Sequence, residues 1–221
     1  MKMNLSGELI ASDWAEMYRK FGYTSGFYCA DDIRQAIADL SDGEELILEI
    51  NSIGGDVFGA NEIYAMLEDC THPTKAIVKS MAASAASYFI MACDHISMHL
   101  PAQLMIHRAS TFACGTTADL QQARQMLDTT DSAILDVYCR KCGSKTSRED
   151  LEAMMAAETY INATDALEYG LIDSIVGADE DAPTGGLLVR TLPDIQTLIQ
   201  ANNAENAKLR QELDAEKNKF K

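Results

Sequence analysis

The sequence predicts an α/β domain in which strands alternate with helices through crossover connections, followed by a linker and a C-terminal helical tail. Three observations carry this. Short aliphatic runs such as Leu46 to Ile50 and Lys75 to Lys79 alternate with segments of helical period. The 221 residues, 47% of them hydrophobic, suffice to bury one substantial core. An acidic stretch carrying Pro183 and two glycines breaks the pattern after residue 177.

A first strand is expected near Met3 to Ile10, followed by an aromatic-rich insertion from Trp14 to Phe27. Ile33, Ile37 and Leu40 share a face, which predicts an amphipathic helix over 30–40. The turn Ser41 to Glu45 leads into the strand 46–50, which ends in Asn51-Ser52-Ile53-Gly54-Gly55, and helical period returns from Val57 to Leu67. The strand 75–79 runs into the small residues 81–87 and on to Ala92, a composition that predicts a tightly packed helix. His95 to Leu100 and Leu104 to His107 read as strands on either side of Pro101.

Leu120, Ala123, Leu127, Ile134, Leu135 and Tyr138 fit one long helix over 117–140, uninterrupted by Gly or Pro. Thr146 to Asp150 can cap and open another, running to about Ala157. Asn162 can cap a last short helix that stops at Gly170, and the domain closes near Gly177. The domain is thus assigned to 1–177, the linker to 178–193 and the tail to 194–221. In the tail, Ile195, Ile199, Leu209, Leu213 and Phe220 form an interrupted heptad seam, which fits a weak coiled coil, a solvated helix or a disordered segment.

A formal charge of −16 argues against nucleic acid or anionic lipid as partners, since both need clustered Lys and Arg. No apolar run is long enough for a signal peptide or a spanning helix, so a cytoplasmic location is expected. The six cysteines read as reduced thiols. Cys139 and Cys142 form a lone CxxC after a helix, without a second ligand pair, so neither a metal nor another cofactor is expected. The chain also lacks GxSxG, HExxH, GxGxxG and the phosphate-binding GxxxxGK[ST].

Three constellations could carry chemistry. Gly54 and Gly55 follow a buried-looking strand; spacing alone favours a structural turn, while two glycines also permit close approach to backbone N–H groups. Ser84 lies among alanines near a helix start, where orphan N–H groups could stabilise an oxyanion, although such a serine is more often a packing residue. His107 ends an apolar strand and suits proton transfer near neutral pH, but His72, His95 and His99 compete with it on periodicity.

Four blocks then resemble one family, in its order and at its spacing across residues 45 to 177. INSIGGDVFGANEIYAML resembles the Asn-Ser-Pro-Gly-Gly turn and following helix of ClpP-like serine peptidases. KSMAASAASYFIMACDHI resembles their nucleophile segment, HLPAQLMIH the segment ending in their catalytic histidine, and ETYINATDALEYGLIDSIV their final acid-bearing segment. The resemblance implies a ClpP/crotonase-like spiral of ββα units with a long handle helix. It carries the nucleophile to Ser84, the general base to His107, the third triad member to Glu158 and the oxyanion donors to the amides of Gly55 and Ala85. It further implies an extended polypeptide substrate lying along Gly54, Asp56 and Val57 on one side and Ser110, Thr111 and Phe112 on the other.

Departures are informative. Ile53 replaces the proline of the turn, Ala85-Ala86 replace Met-Gly, and glutamate replaces the usual aspartate at 158, as in the phage-type branch. The early first strand and the insertion 14–27 also resemble that branch, which leaves an ATPase partner doubtful. The resemblance implies a homo-oligomeric ring, heptameric or stacked, and processing of capsid or scaffold proteins in a bacterial host cell. A non-catalytic assembly protein and a crotonase-like acyl-CoA enzyme are the alternatives.

Overall fold

The computed structural model describes residues 1–178. The assigned linker beyond residue 178 and the heptad seam of 194–221 lie outside the described residues. In chain order the elements are β1 (Lys2–Leu9), α1 (Ser12–Lys20), β2 (Phe27–Tyr28), α2 (Ala30–Ala38), β3 (Leu46–Gly55), α3 (Val57–Glu68), β4 (Thr74–Ala83) and α4 (Ala85–Phe89). A single 3-10 turn, Ile90–Ala92, precedes β5 (His95–His99), β6 (Gln103–Ile106), α5 (Thr117–Cys142), α6 (Arg148–Ala156), β7 (Thr159–Asn162), α7 (Ala163–Tyr169) and β8 (Ser174–Val176).

The strands form one sheet in the order β2-β1-β3-β4-β5-β8, parallel throughout. The sheet forks at β4. Its first half, Lys75 to Val78, pairs with β5, and its last residues, Met81 to Ala83, pair with β6. β7 then adds to β6 antiparallel. This is the α/β architecture with crossover helices that the alternation of patterns predicts.

Unlike most parallel strands, β3 alternates between buried and more exposed positions, because helices cover one face of the sheet. Leu48 and Ile50 of β3, Ile33 of α2, Ile63 of α3 and Phe89 of α4 meet on that face, all fully buried. Helix starts obey local chemistry. Asp56 accepts from the Gly59 N–H at 2.6 Å to open α3, Ser147 accepts from Asp150 at 3.1 Å to open α6, and Asn162 accepts from Asp165 at 2.9 Å to open α7. Gly170, at φ 82°, ends α7 in the left-handed conformation.

Several expectations need correction. The strand expected to end before Asn51 continues to Gly55, because β1 runs alongside it and pairs Glu8 with Gly54 and Leu9 with Gly55 past a bulge. The helix expected over 81–92 shrinks to α4 and one 3-10 turn, since β6 claims Met81 to Ala83 as strand. The insertion 14–27 contains a helix, α1, whose Arg19 forks onto Asp32 of α2 at 2.7 and 2.8 Å. β2, β7 and β8 are not among the strands that the sequence predicts.

Helix α5 is only partly packed. Ile134, Leu135, Tyr138 and Cys142 are buried, whereas the stretch before residue 134 has no buried residue and leaves Leu120 48% exposed. Replacing Leu48 with Ala should therefore cost about 2 to 5 kcal/mol of unfolding free energy in denaturant titrations, while Leu120→Ala should stay within about 0.5 kcal/mol in the isolated chain. Equal losses would contradict the assigned core.

All six cysteines are free, and burial pushes the Cys93 thiol up to about 12 and the Cys142 thiol up to about 11. A raised thiol stays protonated and unreactive below its own pKa. At pH 8 iodoacetamide should modify exposed Cys114 in the folded protein and reach Cys93 and Cys142 only after unfolding, as read by mass mapping.

Candidate active site

Three strand ends converge on one cleft of about 440 Å³. β3 delivers Gly54 and Gly55, β4 delivers Ser84, and β6 delivers His107. The register explains the meeting: β4 and β6 run parallel with Ala83 opposite Met105, β4 ends at Ala83 and β6 one residue past Met105, so Ser84 and His107 follow their strands at the same edge of the sheet. The Ser84 N–H donates to the Met105 carbonyl at 2.9 Å and fixes that register at its last step. Ser84 Oγ and His107 Nε2 then lie 2.7 Å apart, within hydrogen-bonding distance.

The other histidines are accounted for elsewhere. His72 Nδ1 is 3.2 Å from the Glu44 carbonyl, and His95 Nε2 is 2.9 Å from Ser174 Oγ, so neither reaches the cleft. His99 lies at the end of β5, outside the cleft lining.

Ser84 adopts φ 54°, ψ −127°, a conformation that costs a residue with a Cβ about 1 to 3 kcal/mol and persists only when its surroundings impose it. Here both of its backbone groups are held: the N–H by Met105, the carbonyl by the Ser87 N–H at 2.9 Å and by Ser87 Oγ at 2.6 Å. The sharp bend lifts the hydroxyl into the cleft and makes Ala85 the first residue of α4. A first-turn N–H has no partner within its own helix, so the Ala85 amide is available to a ligand.

The two glycines answer two separate demands. A Cβ on Gly54, which has φ 86°, would sit 2.7 Å from Ser84 Cβ and 2.8 Å from the Ala85 nitrogen. One on Gly55, at φ 144°, would fall 2.0 Å from the Leu9 carbonyl oxygen. Gly54 thus lets β3 lie against the bend at Ser84, and Gly55 lets it lie against β1. The Gly54 N–H is held by Ser52 Oγ at 3.1 Å, and Ser52 in turn donates to the Gly7 carbonyl at 2.7 Å.

Asp56, Val57, Ser110 and Thr111 line the cleft with the glycines. Phe112 does not; it is 93% exposed. No strand forms between β6 and α5 to present Ser110, Thr111 and Phe112 as an edge, and the backbone bonds found there lie next to His107. The Arg108 N–H donates to the Met155 carbonyl at 3.2 Å and the Ala109 N–H to Asp131 Oδ1 at 2.6 Å. Tyr88 and Tyr138, which sequence reasoning did not single out, also line the cleft, and burial pushes both phenols well above their ordinary value, so they are neutral donors. The Tyr88 hydroxyl lies 2.9 Å from the Val57 carbonyl and 2.7 Å from Asn61 Oδ1, joining α4 to the first turn of α3.

Glu158 occupies a telling position. β6 and β7 pair Ile106 with Thr159, so one more step of that antiparallel register sets Glu158 opposite His107. Its φ of 52° bends the chain at that point, and its side chain is exposed. Among the described residues no hydrogen bond joins it to His107.

The arrangement can pull a proton from a hydroxyl onto an imidazole beside a free amide, which is the elementary requirement of acyl transfer. No group of His, Cys, Asp and Glu among the described residues is arranged to hold a metal.

Comparison with known proteins finds relatives among peptidase subunits. The ATP-dependent Clp protease proteolytic subunit of Deinococcus radiodurans is 32% identical over 136 residues, covering 60% of this chain and 65% of that protein. Proteolytic subunit 1 from Chlamydia muridarum is 31% identical over 146 residues, 64% of this chain and 74% of the relative. Its counterpart from Chlamydia trachomatis serovar D is 31% identical over 144 residues, 63% and 73%. The family described as Clp protease matches residues 29–179, a span that contains all three converging strand ends and Glu158, and the chain belongs to that family.

Proposed function

We propose that the chain is a serine endopeptidase of the ClpP type, with Ser84 as nucleophile and His107 as general base. The 2.7 Å contact between Ser84 Oγ and His107 Nε2, both lining the cleft, is the observation that carries this reading. His107 Nε2 takes the hydroxyl proton as Oγ attacks a peptide carbonyl carbon, and the carbonyl electrons move onto oxygen. The amides of Gly55 and Ala85 stabilise that oxyanion; losing one such donor costs about 2.7 to 4 kcal/mol. The imidazolium then protonates the departing amine, leaving an acyl-enzyme on Ser84. Water, activated by the same imidazole, hydrolyses the ester.

For Nε2 to accept the serine proton, Nδ1 must carry the other one. Glu158 is the carboxylate assigned to receive that N–H: its backbone lies opposite His107, and its exposed side chain is unencumbered. A polypeptide lies along Gly54, Asp56 and Val57 with Ser110 and Thr111 across the cleft, and Phe112 joins the site when the segment after His107 orders around substrate. A homo-oligomeric ring in the cytoplasm of a bacterial host, acting on phage capsid or scaffold proteins, completes the proposal on the strength of the phage-type departures.

One observation favours a non-catalytic assembly role instead, namely the exposed Glu158 carboxylate without a bond to His107. A crotonase-like acyl-CoA activity would leave the Ser84 to His107 contact without work.

Labelling with a fluorophosphonate probe and mapping the adduct separates these. The adduct is expected on Ser84, and His107→Ala should slow its formation by about 10² to 10⁴. Glu158→Gln should slow it at least about tenfold if the carboxylate orients the imidazole, and leave it unchanged otherwise. An unlabelled wild-type chain would support the assembly role, and a label on another serine would remove the site.

Gly54→Ala supplies an independent check. Its methyl group collides with the bend at Ser84, and a misplacement near 1 Å costs on the order of 10² in rate. Labelling should fall accordingly while circular dichroism stays that of the wild type.

A further inference from the structure

We propose that helix α5 acts as a two-point clamp on the catalytic pair, with Asp131 and Tyr138 as positioning residues for His107 and Ser84 respectively. This rests on the peptidase reading above.

The first point of the clamp is charged. Asp131 Oδ1 accepts the Ala109 N–H at 2.6 Å, two residues beyond His107 and just before the exposed stretch that begins at Ser110. His107 itself has left the sheet, since β6 ends at Ile106. Among the described residues its backbone is therefore held on the far side by two bonds, Arg108 N–H to Met155 of α6 and Ala109 N–H to Asp131 of α5. The second of these is the charge-assisted one, and such bonds are roughly twice as strong as neutral ones.

The other point is a buried relay. Ser87 Oγ spends its single proton on the Ser84 carbonyl, at 2.6 Å, so the Tyr138 hydroxyl 2.7 Å away must be the donor in that contact. Ser87 is fully buried and Tyr138 is 1% exposed. A core with no chemistry to serve could use Ala and Phe at these positions, avoiding two buried hydroxyls that must be satisfied. Here the pair secures the carbonyl of Ser84, whose φ of 54° its own side chain disfavours.

Asp131 and Tyr138 lie two helical turns apart, on the same face of α5. One rigid element thus fixes the separation between the segment bearing the base and the bend bearing the nucleophile. The 2.7 Å contact is sensitive to that separation, because rate falls steeply with misplacement of the reacting groups.

The test is the kinetics of fluorophosphonate labelling of Ser84 in the full chain, resolving the maximal rate constant from the half-saturating probe concentration. Asp131→Ala should lower the maximal rate about tenfold or more with little change in half-saturation, and Asp131→Asn, which keeps the acceptor oxygen, should recover most of it. Tyr138→Phe should lower the same constant about threefold, with a melting temperature close to wild type. Normal labelling of wild type combined with wild-type rates in Asp131→Ala and Tyr138→Phe would overturn the clamp and leave the peptidase reading standing. Equal loss in Asp131→Ala and Asp131→Asn would overturn the positioning role of Asp131. Absence of labelling in wild type would remove the peptidase reading and the clamp together.

Discussion

The cleft depends on the register of two parallel strands. β4 and β6 are joined at Met81 to Gln103, Leu104 to Ala82 and Ala83 to Met105, and the Ser84 N–H adds one further bond to the Met105 carbonyl. A slip of one residue would exchange the two faces of β6, moving Leu104 and Ile106, both 0% exposed, to the side now taken by Met105, which is 8% exposed. Burial therefore enforces the register, and the register brings a hydroxyl and an imidazole, distant in sequence, to the same end of the sheet. In open α/β sheets the carboxyl ends of the strands, where neighbouring chains diverge, are the usual place for a site. The fork at β4 creates such a divergence.

Strain is concentrated where that register ends. Ser84 and Glu158 are the two non-glycine residues with positive φ among the described residues, and both flank His107: one from β4, the other from the start of β7. Gly54 and Gly55 add two close backbone approaches from the opposite side. Each of these conformations would be unfavourable in isolation. They persist because the strands behind them are locked by a continuous buried face running from Leu5 and Leu48 to Val78 and Ile96. Stability made in the sheet is thus what permits an unrelaxed geometry at its edge.

Much of the fold was legible because it follows from local chemistry. The helices α2, α3, α5, α6 and α7 declare themselves through apolar period and caps, and Asn162 and Gly170 bound α7 where the sequence suggests. What escaped was set by partners far along the chain. Gly54 and Gly55 are punctuation by every local rule, yet β1 pairs with both and keeps them in β3. The residues Met81 to Ala83 look helical until β6 claims them, and the short run Thr159 to Asn162 becomes a strand only because β6 is beside it. The site divides the same way. Residue type alone left Ser84 as one small side chain among many and His107 as one of several histidines; family resemblance chose them, and the shared strand register supplies the physical reason. The positive φ at Ser84 and the relay through Ser87 and Tyr138 leave no mark on composition, so no reading of residue types could find them.

Helix α5 connects the site to what lies outside it. Its second half is packed on the body through Ile134, Leu135, Tyr138 and Cys142, while its first half, opened by the Thr116 and Asp119 capping box, has no buried residue. Helices of that length are marginal in water without a packed face, however well they are capped. Leu120 at 48% and Met126 at 40% exposure are apolar groups on that unsupported half, and Met126 also lines the cleft. A second copy packing there would stabilise a helix that the single chain supports at one end only. Because Asp131 and Tyr138 of this helix touch the segments bearing His107 and Ser84, order gained along the helix would be transmitted through a rigid rod to the reacting pair. The same element would then serve assembly with one half and alignment with the other, and the cost of leaving Leu120 bare in the isolated chain would have a physical counterpart in the assembled one.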